Sequence, residues 1–295
     1  PRSTLFPYTT LFRSLLGVAT PAVAEPIRLT DALGRTVEIA LPPQRIVPIF
    51  ASNTELVATL GLSDRIVGVE AYTRFPPEMT KKPQVGGRLG FSVDAIVAQR
   101  PDLLIVTPAR QAMHQLIDPM TRLGVPVVVL LARSVAEVMD NLRLVGRAAG
   151  VPERGEAVAA ALEARLAAVQ HVMPAIRPRV VMITGKLGNG LVLIARADTY
   201  PGDAIGKAGG RHALERSIVA HVSPEAIVAA DHDVLLFAGT KADLDALVAQ
   251  PGWRLSRAVR EGRAHTVARA EFLIPGPRTV DGIEKLAVLL RRQGQ

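Results

Sequence analysis

Short apolar runs recur along most of the chain and alternate with stretches of helical periodicity. The runs read RIVPI, RIVGV, DLLIV, PVVVLL, RVVMIT, LVLI and VLLFA, at residues 45–49, 65–69, 102–106, 126–131, 179–184, 191–194 and 234–238. Helical spacing of apolar residues occurs in residues 52–60, 111–123 and 242–249. Because continuous apolar strands are typically buried on both faces, this alternation predicts an α/β fold with largely parallel sheets. Residues 27–39 differ and predict a small β-hairpin around Gly34.

A fifteen-residue segment occurs twice in the chain. Residues 92–106 read SVDAIVAQRPDLLIV and residues 223–237 read SPEAIVAADHDVLLF, an offset of 131 with seven identical positions. The strands RIVPI and RVVMI repeat at the similar offset of 134. Two copies at a nearly constant offset indicate two related lobes, because a solenoid would repeat every ~20–50 residues.

A single long helix is predicted between the two copies. Its central sequence, EAVAAALEARLAAVQ, is rich in strong helix formers and contains no Gly or Pro. We therefore predict an N-terminal lobe over 26–151, a linker helix over 152–175 and a C-terminal lobe over 176–295. The predicted fold is two Rossmann-like α/β lobes with central, mostly parallel sheets, joined by one long interlobe α-helix. Ligands of such folds bind at the carboxyl ends of strands, which here means the cleft between the lobes.

The composition narrows the possible functions. Hydrophobic residues make up 48% of the 295 residues, which suffices for a full core and excludes a globally disordered chain. The absence of cysteine excludes disulfides, thiolate catalysis and cysteine-ligated metals. The 35 basic residues are scattered and not interleaved with aromatic residues, so we expect no nucleic-acid partner. The six histidines lack metal-ligand spacing, and no catalytic motif is present, so we expect no metal site, no catalytic residue and no cofactor.

We do not expect the first 24 residues to belong to the fold. Residues 1–14 (PRSTLFPYTTLFRS) resemble translated sequencing-adapter sequence, and we exclude them from the fold prediction as an artefact. Residues 15–24 (LLGVATPAVA) are apolar and end with small residues at Ala22 and Ala24, as signal-peptidase sites do. We expect the remnant of a signal peptide cleaved after Ala24. The alternative is an ordinary apolar segment.

Several segments, taken together in their order and spacing, resemble one known family. They are GRTVEIALPPQRIVPIFASNTELVATLGLSDRIVGVEAY (34–72), FSVDAIVAQRPDLLIV (91–106), SPEAIVAADHDVLLF (223–237) and GWRLSRAVREGRAHTV (252–267). They are similar to periplasmic binding proteins for ferric siderophores, haem and cobalamin, over about residues 26–292. The resemblance implies a monomeric periplasmic protein that delivers its cargo to the dimeric permease of an ABC importer in the inner membrane. It also implies a shallow cleft that closes little.

Asp94 and Glu225 occupy equivalent positions in the repeat. Each follows a helix-capping serine, Ser92 or Ser223, so that the acid lies in the first helical turn. The helix dipole stabilises an acid there, which is one sufficient explanation. The resemblance implies a second, in which the two acids bind arginines of the permease.

The ligand-binding candidates follow predicted strands or lie in loops expected at the cleft. They are Phe50, Tyr72, Arg88, Arg110, Lys186, Tyr200, His221 and Phe272. Tyr72 could stack on a planar ligand or simply pack in its loop. The SNTE sequence at 52–55 is interpreted as a capping box in which Glu55 reaches back to the helix start, and the alternative is that Glu55 contacts the ligand.

Arg88 and its neighbours indicate which of the possible cargoes is favoured. In siderophore binders of the family, an arginine in this loop contacts the oxygen donors of the chelate, a role that suits a guanidinium. Haem binders tend to carry Tyr one position earlier, where this chain has Gly87, and cobalamin binders tend to carry Trp in this loop. We therefore expect a ferric siderophore ahead of cobalamin and haem. The alternatives are a ligand sensor that docks a receptor, or an α/β enzyme with an interlobe active site.

Overall fold

The computed structural model describes residues 26–40, 42–87, 90–107, 116–214 and 221–293. The first element is the predicted hairpin, in which β1 (Ile27–Thr30) pairs antiparallel with β2 (Thr36–Ile39). Gly34 lies in its turn with a φ of 76°, a conformation that glycine adopts without strain. The adapter-like segment and the signal remnant lie outside the described residues.

The N-terminal lobe is built on two small sheets. Its strands are β3 (Ile46–Pro48), β4 (Val69–Glu70), β5 (Gln84–Gly87), β6 (Gly90–Phe91), β7 (Leu103–Val106) and β8 (Val127–Val129). Strands β3, β7 and β8 form a parallel sheet whose residues are all buried, as continuous apolar runs predict. The strand predicted from the RIVGV run is shorter than expected, because residues Ser63–Arg65 form a 3₁₀ turn before the two-residue β4. Its helices are α1 (Ala51–Thr59), α2 (Val93–Ala98), α3 (Asp118–Arg122) and α4 (Val135–Ala148).

The C-terminal lobe contains one larger mixed sheet. Its strands are β9 (Arg179–Lys186), β10 (Val192–Ile194), β11 (Arg211–His212), β12 (His221–Val222), β13 (Val234–Ala238) and β14 (Ala264–Val267). The order is β12-β10-β9-β13-β14, with β11 paired to β9. Strands β9, β11, β13 and β14 are parallel, whereas β10 and β12 are antiparallel to their neighbours. The predicted α/β fold with mostly parallel central sheets is confirmed.

The sequence repeat is also a structural repeat. The hydroxyl oxygen of Ser92 accepts the Ala95 amide at 3.1 Å, and that of Ser223 accepts the Ala226 amide at 3.3 Å. These caps begin α2 and α7 (Pro224–Ala229), which lead into the buried strands β7 and β13. The N-capping that the repeated serines predict is therefore confirmed in both lobes.

The linker helix, α5, runs from Pro152 to His171 and packs closely on α4. The two helices cross at a pair of glycines, where a Cβ on Gly155 would lie 2.8 Å from the carbonyl oxygen of Leu142 and 3.1 Å from Cα of Gly146. Such close approach requires residues without a side chain. The prediction of one long helix is confirmed, while the lobe boundaries at 151 and 176 stay a prediction.

The remaining helices are α6 (Tyr200–Lys207), α8 (Lys241–Val248), α9 (Arg257–Arg260), α10 (Arg269–Phe272) and α11 (Thr279–Gln293).

Other contacts besides the linker helix also connect the two lobes. Arg165 of α5 donates hydrogen bonds to Asp281 and Glu284 of α11. One cluster of buried side chains runs continuously from α1 and α4 through α5 to α11. The two lobes therefore share a hydrophobic core. No helix in the described part of the chain is long and apolar enough to cross a membrane.

Candidate functional site

A cavity of about 440 Å³ opens at the carboxyl ends of β3, β4 and β7 in the N-terminal lobe. Its wall consists of Phe50, Ala51, Ser52, Glu70, Tyr72, Thr107, Leu273, Ile274 and Pro275. The last three residues come from the C-terminal lobe, between α10 and α11. The cavity therefore lies between the lobes, at the strand edge where α/β folds bind ligands.

A second cavity, of about 530 Å³, adjoins the first. Its wall consists of Ala132, Arg133, Thr184, Ile194, Asp198, Thr199, Tyr200, Pro201, Leu273 and Pro275. Leu273 and Pro275 belong to both walls, so the two cavities are neighbouring parts of one cleft. Each volume falls within the range of about 300–1,000 Å³ that is typical of small-molecule sites.

Phe50 and Tyr72 lie in the cleft, as the sequence predicts. The Phe50 ring packs edge to face on Phe91, with ring centroids 5.2 Å apart, which fixes its orientation. Phe50 has a φ of 77°, an uncommon value for a residue with a side chain. Tyr72 is 52% exposed, so its ring is available to a ligand.

Glu70 is an acidic group in the first cavity that the sequence analysis did not single out. Burial raises the pKa of its carboxyl above the ordinary value of 4.5, and the amide of Ala51, which begins α1, opposes that rise with a hydrogen bond. The cavity wall thus carries one carboxyl group among mainly apolar described side chains.

Glu55 is not part of a capping box. Helix α1 begins at Ala51 without a side-chain cap, and the Glu55 side chain is buried. Its carboxylate accepts three hydrogen bonds from Arg278, from the backbone N–H at 3.1 Å, from Nε at 2.9 Å and from Nη2 at 2.7 Å. The Arg278 guanidinium also stacks 4.1 Å from the ring centroid of Phe75. The capping-box interpretation is wrong because the carboxylate binds the opposite lobe instead.

Tyr200 contributes to the wall of the second cavity from a buried position. Its hydroxyl donates a hydrogen bond to the Ile274 carbonyl oxygen at 3.2 Å. Burial raises the pKa of the Tyr200 phenol, which keeps the hydroxyl protonated as a donor. Tyr200 thus supports the segment that both cavities share.

Three of the ligand-binding candidates do not contribute to either cavity wall. Lys186 is paired with Asp243 at 3.4 Å, and its ammonium lies 5.9 Å from the Phe237 ring centroid. His221 is exposed on β12, where it pairs with Leu193. Phe272 is 1% exposed and packs against α11, where a Cβ on Gly282 would lie 3.0 Å from its ring.

Phe272 is therefore a core residue, and we correct its assignment. The three residues that follow it are the ones that reach the cleft. The Pro-Gly-Pro sequence that begins at Pro275 marks an irregular segment and is the signal that could have found them. The remaining two candidates, Arg88 and Arg110, lie outside the described residues.

Asp94 and Glu225 are exposed in the first turns of α2 and α7. Hydrogen bonds from its own backbone N–H and from the Ser223 hydroxyl hold the pKa of the Glu225 carboxyl below its ordinary value. Both acids are therefore accessible from solvent. Within the described ranges, no cluster of His, Asp and Glu side chains could hold a metal ion.

A family model described as periplasmic binding protein matches residues 46–268. The chain belongs to this family. Membership makes it a binding protein rather than an enzyme, so the enzyme alternative is excluded.

Individual relatives match most of the chain. The uncharacterized ABC transporter substrate-binding lipoprotein YvrC of Bacillus subtilis (strain 168) is 27% identical over 283 residues, which cover 89% of this chain and 84% of that protein. A vitamin B12-binding protein of Vibrio cholerae is 22% identical over 264 residues, which cover 85% of this chain and 90% of that protein. Among solved structures, the periplasmic heme-binding protein RhuT from Roseiflexus sp. RS-1 in apo form matches with a TM-score of 0.75 at 28% identity, covering 85% of this chain and 99% of that chain.

Proposed function

We propose that this periplasmic binding protein is the substrate-binding component of an ABC importer and that its cargo is a metal tetrapyrrole, either haem or cobalamin. The importer role is supported by the relative that is named as an ABC transporter substrate-binding protein. The cargo class is supported by relatives named for vitamin B12 and heme. In this proposal the protein works as a monomer in the periplasm, reached through a signal peptide cleaved after Ala24.

The observation that carries the cargo proposal is the apolar wall common to both cavities. Leu273 and Pro275 belong to the walls of both cavities, and the exposed Tyr72 ring and the Phe50 ring also line the first cavity. A flat macrocycle can place a large apolar face against such a wall. The polar groups of the second cavity, such as Thr184 and Thr199, would then face the polar substituents at the edge of the macrocycle.

A ferric siderophore is the second candidate. The sequence favours it through Arg88, because a guanidinium group binds the anionic oxygens of a chelate. Arg88 lies outside the described residues, so no observed contact supports this candidate over a tetrapyrrole. We therefore place the siderophore second and make it a separate outcome of the test.

Delivery to a permease is the second step of the proposed function. Asp94 and Glu225 would bind it, one from each lobe, since both are exposed and carry the same charge at equivalent positions of the repeat. A receptor in place of the permease is the sensor alternative. Uptake assays separate the two roles, because a sensor binds its ligand without transporting it.

The cargo test uses visible spectra of the purified protein. The protein is incubated separately with haemin, cyanocobalamin and a ferric trihydroxamate, passed over a desalting column, and its spectrum recorded. Retained haemin or cyanocobalamin is the expected result. Retention of the trihydroxamate alone would overturn the tetrapyrrole cargo, and a colourless protein in all three experiments would contradict the binding of any of these chelates.

A matched pair of variants links that binding to the cleft. Tyr72→Ala removes an exposed aromatic ring from the first cavity, and we expect it to weaken binding about tenfold, as stacking contacts of about 1–1.5 kcal/mol imply. Leu255→Ala removes a side chain that is also exposed but lines neither cavity, and it should leave binding unchanged. Equal affinities of the two variants would place the ligand outside this cleft.

A further inference from the structure

The segment Leu273-Ile274-Pro275-Gly276-Pro277-Arg278, here called the strap, joins α10 to α11. It is the part of the C-terminal lobe that lines both cavities, through Leu273 and Pro275. The segment has little regular structure of its own to fix its position. The shape of the cleft therefore depends on whatever holds the strap in place.

The strap is attached to both lobes. At its C-terminal end, Arg278 donates three hydrogen bonds to Glu55 in the N-terminal lobe. The same guanidinium stacks on Phe75, which also belongs to the N-terminal lobe. In the C-terminal lobe, the Tyr200 hydroxyl donates to the Ile274 carbonyl oxygen. Arg278 is the attachment that joins the strap to the N-terminal lobe, and its partner Glu55 is almost completely buried.

The strap backbone lies directly against the Glu55 carboxylate. A Cβ placed on Gly276 would be 3.0 Å from both Cδ and Oε1 of Glu55. The carboxylate is thus enclosed by the strap on one side and by the guanidinium on another. Neither Glu55 nor Arg278 lines the wall of either described cavity, so within the described residues the pair acts on the cleft through the strap.

We propose that Glu55 and Arg278 are positioning residues, which set the shape and rigidity of the binding cleft by holding the strap against the N-terminal lobe. The inference rests on the proposed function, in which this cleft binds the cargo. A side chain held in its binding position before the ligand arrives loses less conformational entropy on binding. Removing the guanidinium would leave a buried carboxylate without its partner, and strap and carboxylate would then rearrange towards water.

The test compares Arg278→Lys and Glu55→Gln with Arg165→Ala. Lysine keeps the positive charge but cannot form the two-nitrogen contact of arginine, and glutamine keeps the size of Glu55 but not its charge. Arg165 is the matched control, because its ion pairs with Asp281 and Glu284 also join the linker helix to the C-terminal lobe but do not touch the strap. Amide hydrogen exchange is measured without ligand, and the Kd and dissociation rate are measured for haemin and cyanocobalamin.

In Arg278→Lys and Glu55→Gln we expect faster exchange at the backbone amide of residue 278, whose acceptor is Glu55, and about tenfold weaker ligand binding through faster dissociation. In Arg165→Ala, exchange in the strap and Kd should match those of the wild-type protein. Unchanged strap exchange, or faster exchange with an unchanged Kd, would overturn the inference. A wild-type protein that binds neither haemin nor cyanocobalamin would contradict the proposed cargo instead, and the exchange measurement would still decide whether the pair holds the strap.

Discussion

The carboxylate of Glu55 lies 2.7 Å from Nη2 of Arg278, although 223 positions of sequence separate the two residues. Glu55 belongs to α1 of the N-terminal lobe, and Arg278 immediately precedes α11 of the C-terminal lobe. A further interlobe hydrogen bond connects the Val135 amide to the Asp203 carboxylate at 2.8 Å. Together with the continuous core, these contacts join the two lobes.

The close packing of the strap on Glu55 predicts that Gly276→Ala destabilises the protein. The added methyl group would lie 3.0 Å from the carboxylate, which has little room to move because Arg278 holds it. We expect the free energy of unfolding to fall by about 1–3 kcal/mol, the usual cost of overpacking. Urea denaturation measures this change. Gly188→Ala is the control, since a Cβ there meets no atom within 4 Å, and equal stability of the two variants would refute the prediction.

The helix crossing of α4 and α5 gives a second stability prediction. Alanine is normally the better helix former, by about 0.8–1 kcal/mol over glycine. In Gly155→Ala, however, the new methyl group would lie 2.8 Å from the Leu142 carbonyl oxygen. Since backbone atoms cannot move aside as a flexible side chain does, we expect a net loss of about 1–2 kcal/mol. Thermal and urea denaturation measure it, and a variant more stable than wild type would show that the helices can separate freely.

His232 makes the stability of the protein depend on pH. The ring is buried, and its Nδ1 lies 3.1 Å from the Ile227 carbonyl oxygen, which can only accept, so Nδ1 carries the proton. The Nε2 atom, at 3.0 Å, then accepts a hydrogen bond from the Ser256 hydroxyl. Burial lowers the pKa of His232 below its ordinary value of 6.5. The neutral ring is therefore the form that the folded protein favours.

The sign of the pH effect follows from this lowered pKa. Above pH 6.5 the ring is mainly neutral in both states, so its contribution to stability is complete. As the pH falls below that value, the unfolded chain takes up a proton before the folded protein does. The free energy of unfolding then decreases by up to about 1.4 kcal/mol per pH unit, until the pH passes the folded-state pKa.

The measurement is urea denaturation between pH 7.5 and pH 5, with pH as the variable. We expect His232→Gln to reduce the slope of stability against pH. Part of the slope of stability against pH will remain in this variant, because burial also lowers the pKa of His265. Gln170→Ala, which removes an exposed side chain without an ionisable group from α5, is the control. If the slope of stability against pH in His232→Gln equals that of the wild-type protein, the assignment of the pH dependence to His232 is contradicted.

The proposed docking role of Asp94 and Glu225 predicts a variant that binds but does not transport. Replacing both acids with arginine should abolish uptake by the reconstituted cognate importer, because like charges would then face the arginines of the permease. The Kd for the cargo should not change, since neither residue lines the cleft. Glu153→Arg is the control, an exposed acid in the first turn of α5. Normal uptake by the double variant would disprove the docking role.

Local patterns predicted the elements of the fold well. The apolar runs DLLIV and VLLFA became β7 and β13, and the repeated serines Ser92 and Ser223 became N-caps. These features depend on burial and on hydrogen bonds between residues close in sequence, which composition and spacing report directly. The resemblance in the ordered motifs led to the family that the comparisons then established.

The cleft was predicted only in part. Phe50 and Tyr72 follow strands of the first lobe, so the rule that ligands bind at carboxyl strand ends found them. The strap was missed and Phe272 was chosen in its place, because an aromatic side chain near a cleft can point into the core as readily as into the cavity. Its orientation is set by packing against α11, which sequence spacing does not report.

Glu55 illustrates the difference between what the sequence determines and what only the tertiary structure decides. By itself the sequence determined two α/β lobes, the repeat that relates them, the long helix between them and the strand ends at which a ligand would bind. Only the tertiary structure decided that Glu55 pairs with Arg278 rather than capping its own helix, and that Leu273 and Pro275 line both cavities of the cleft. The physical reason is that a capping box needs contacts within one helical turn, whereas partners 223 positions apart meet only when the two lobes pack together.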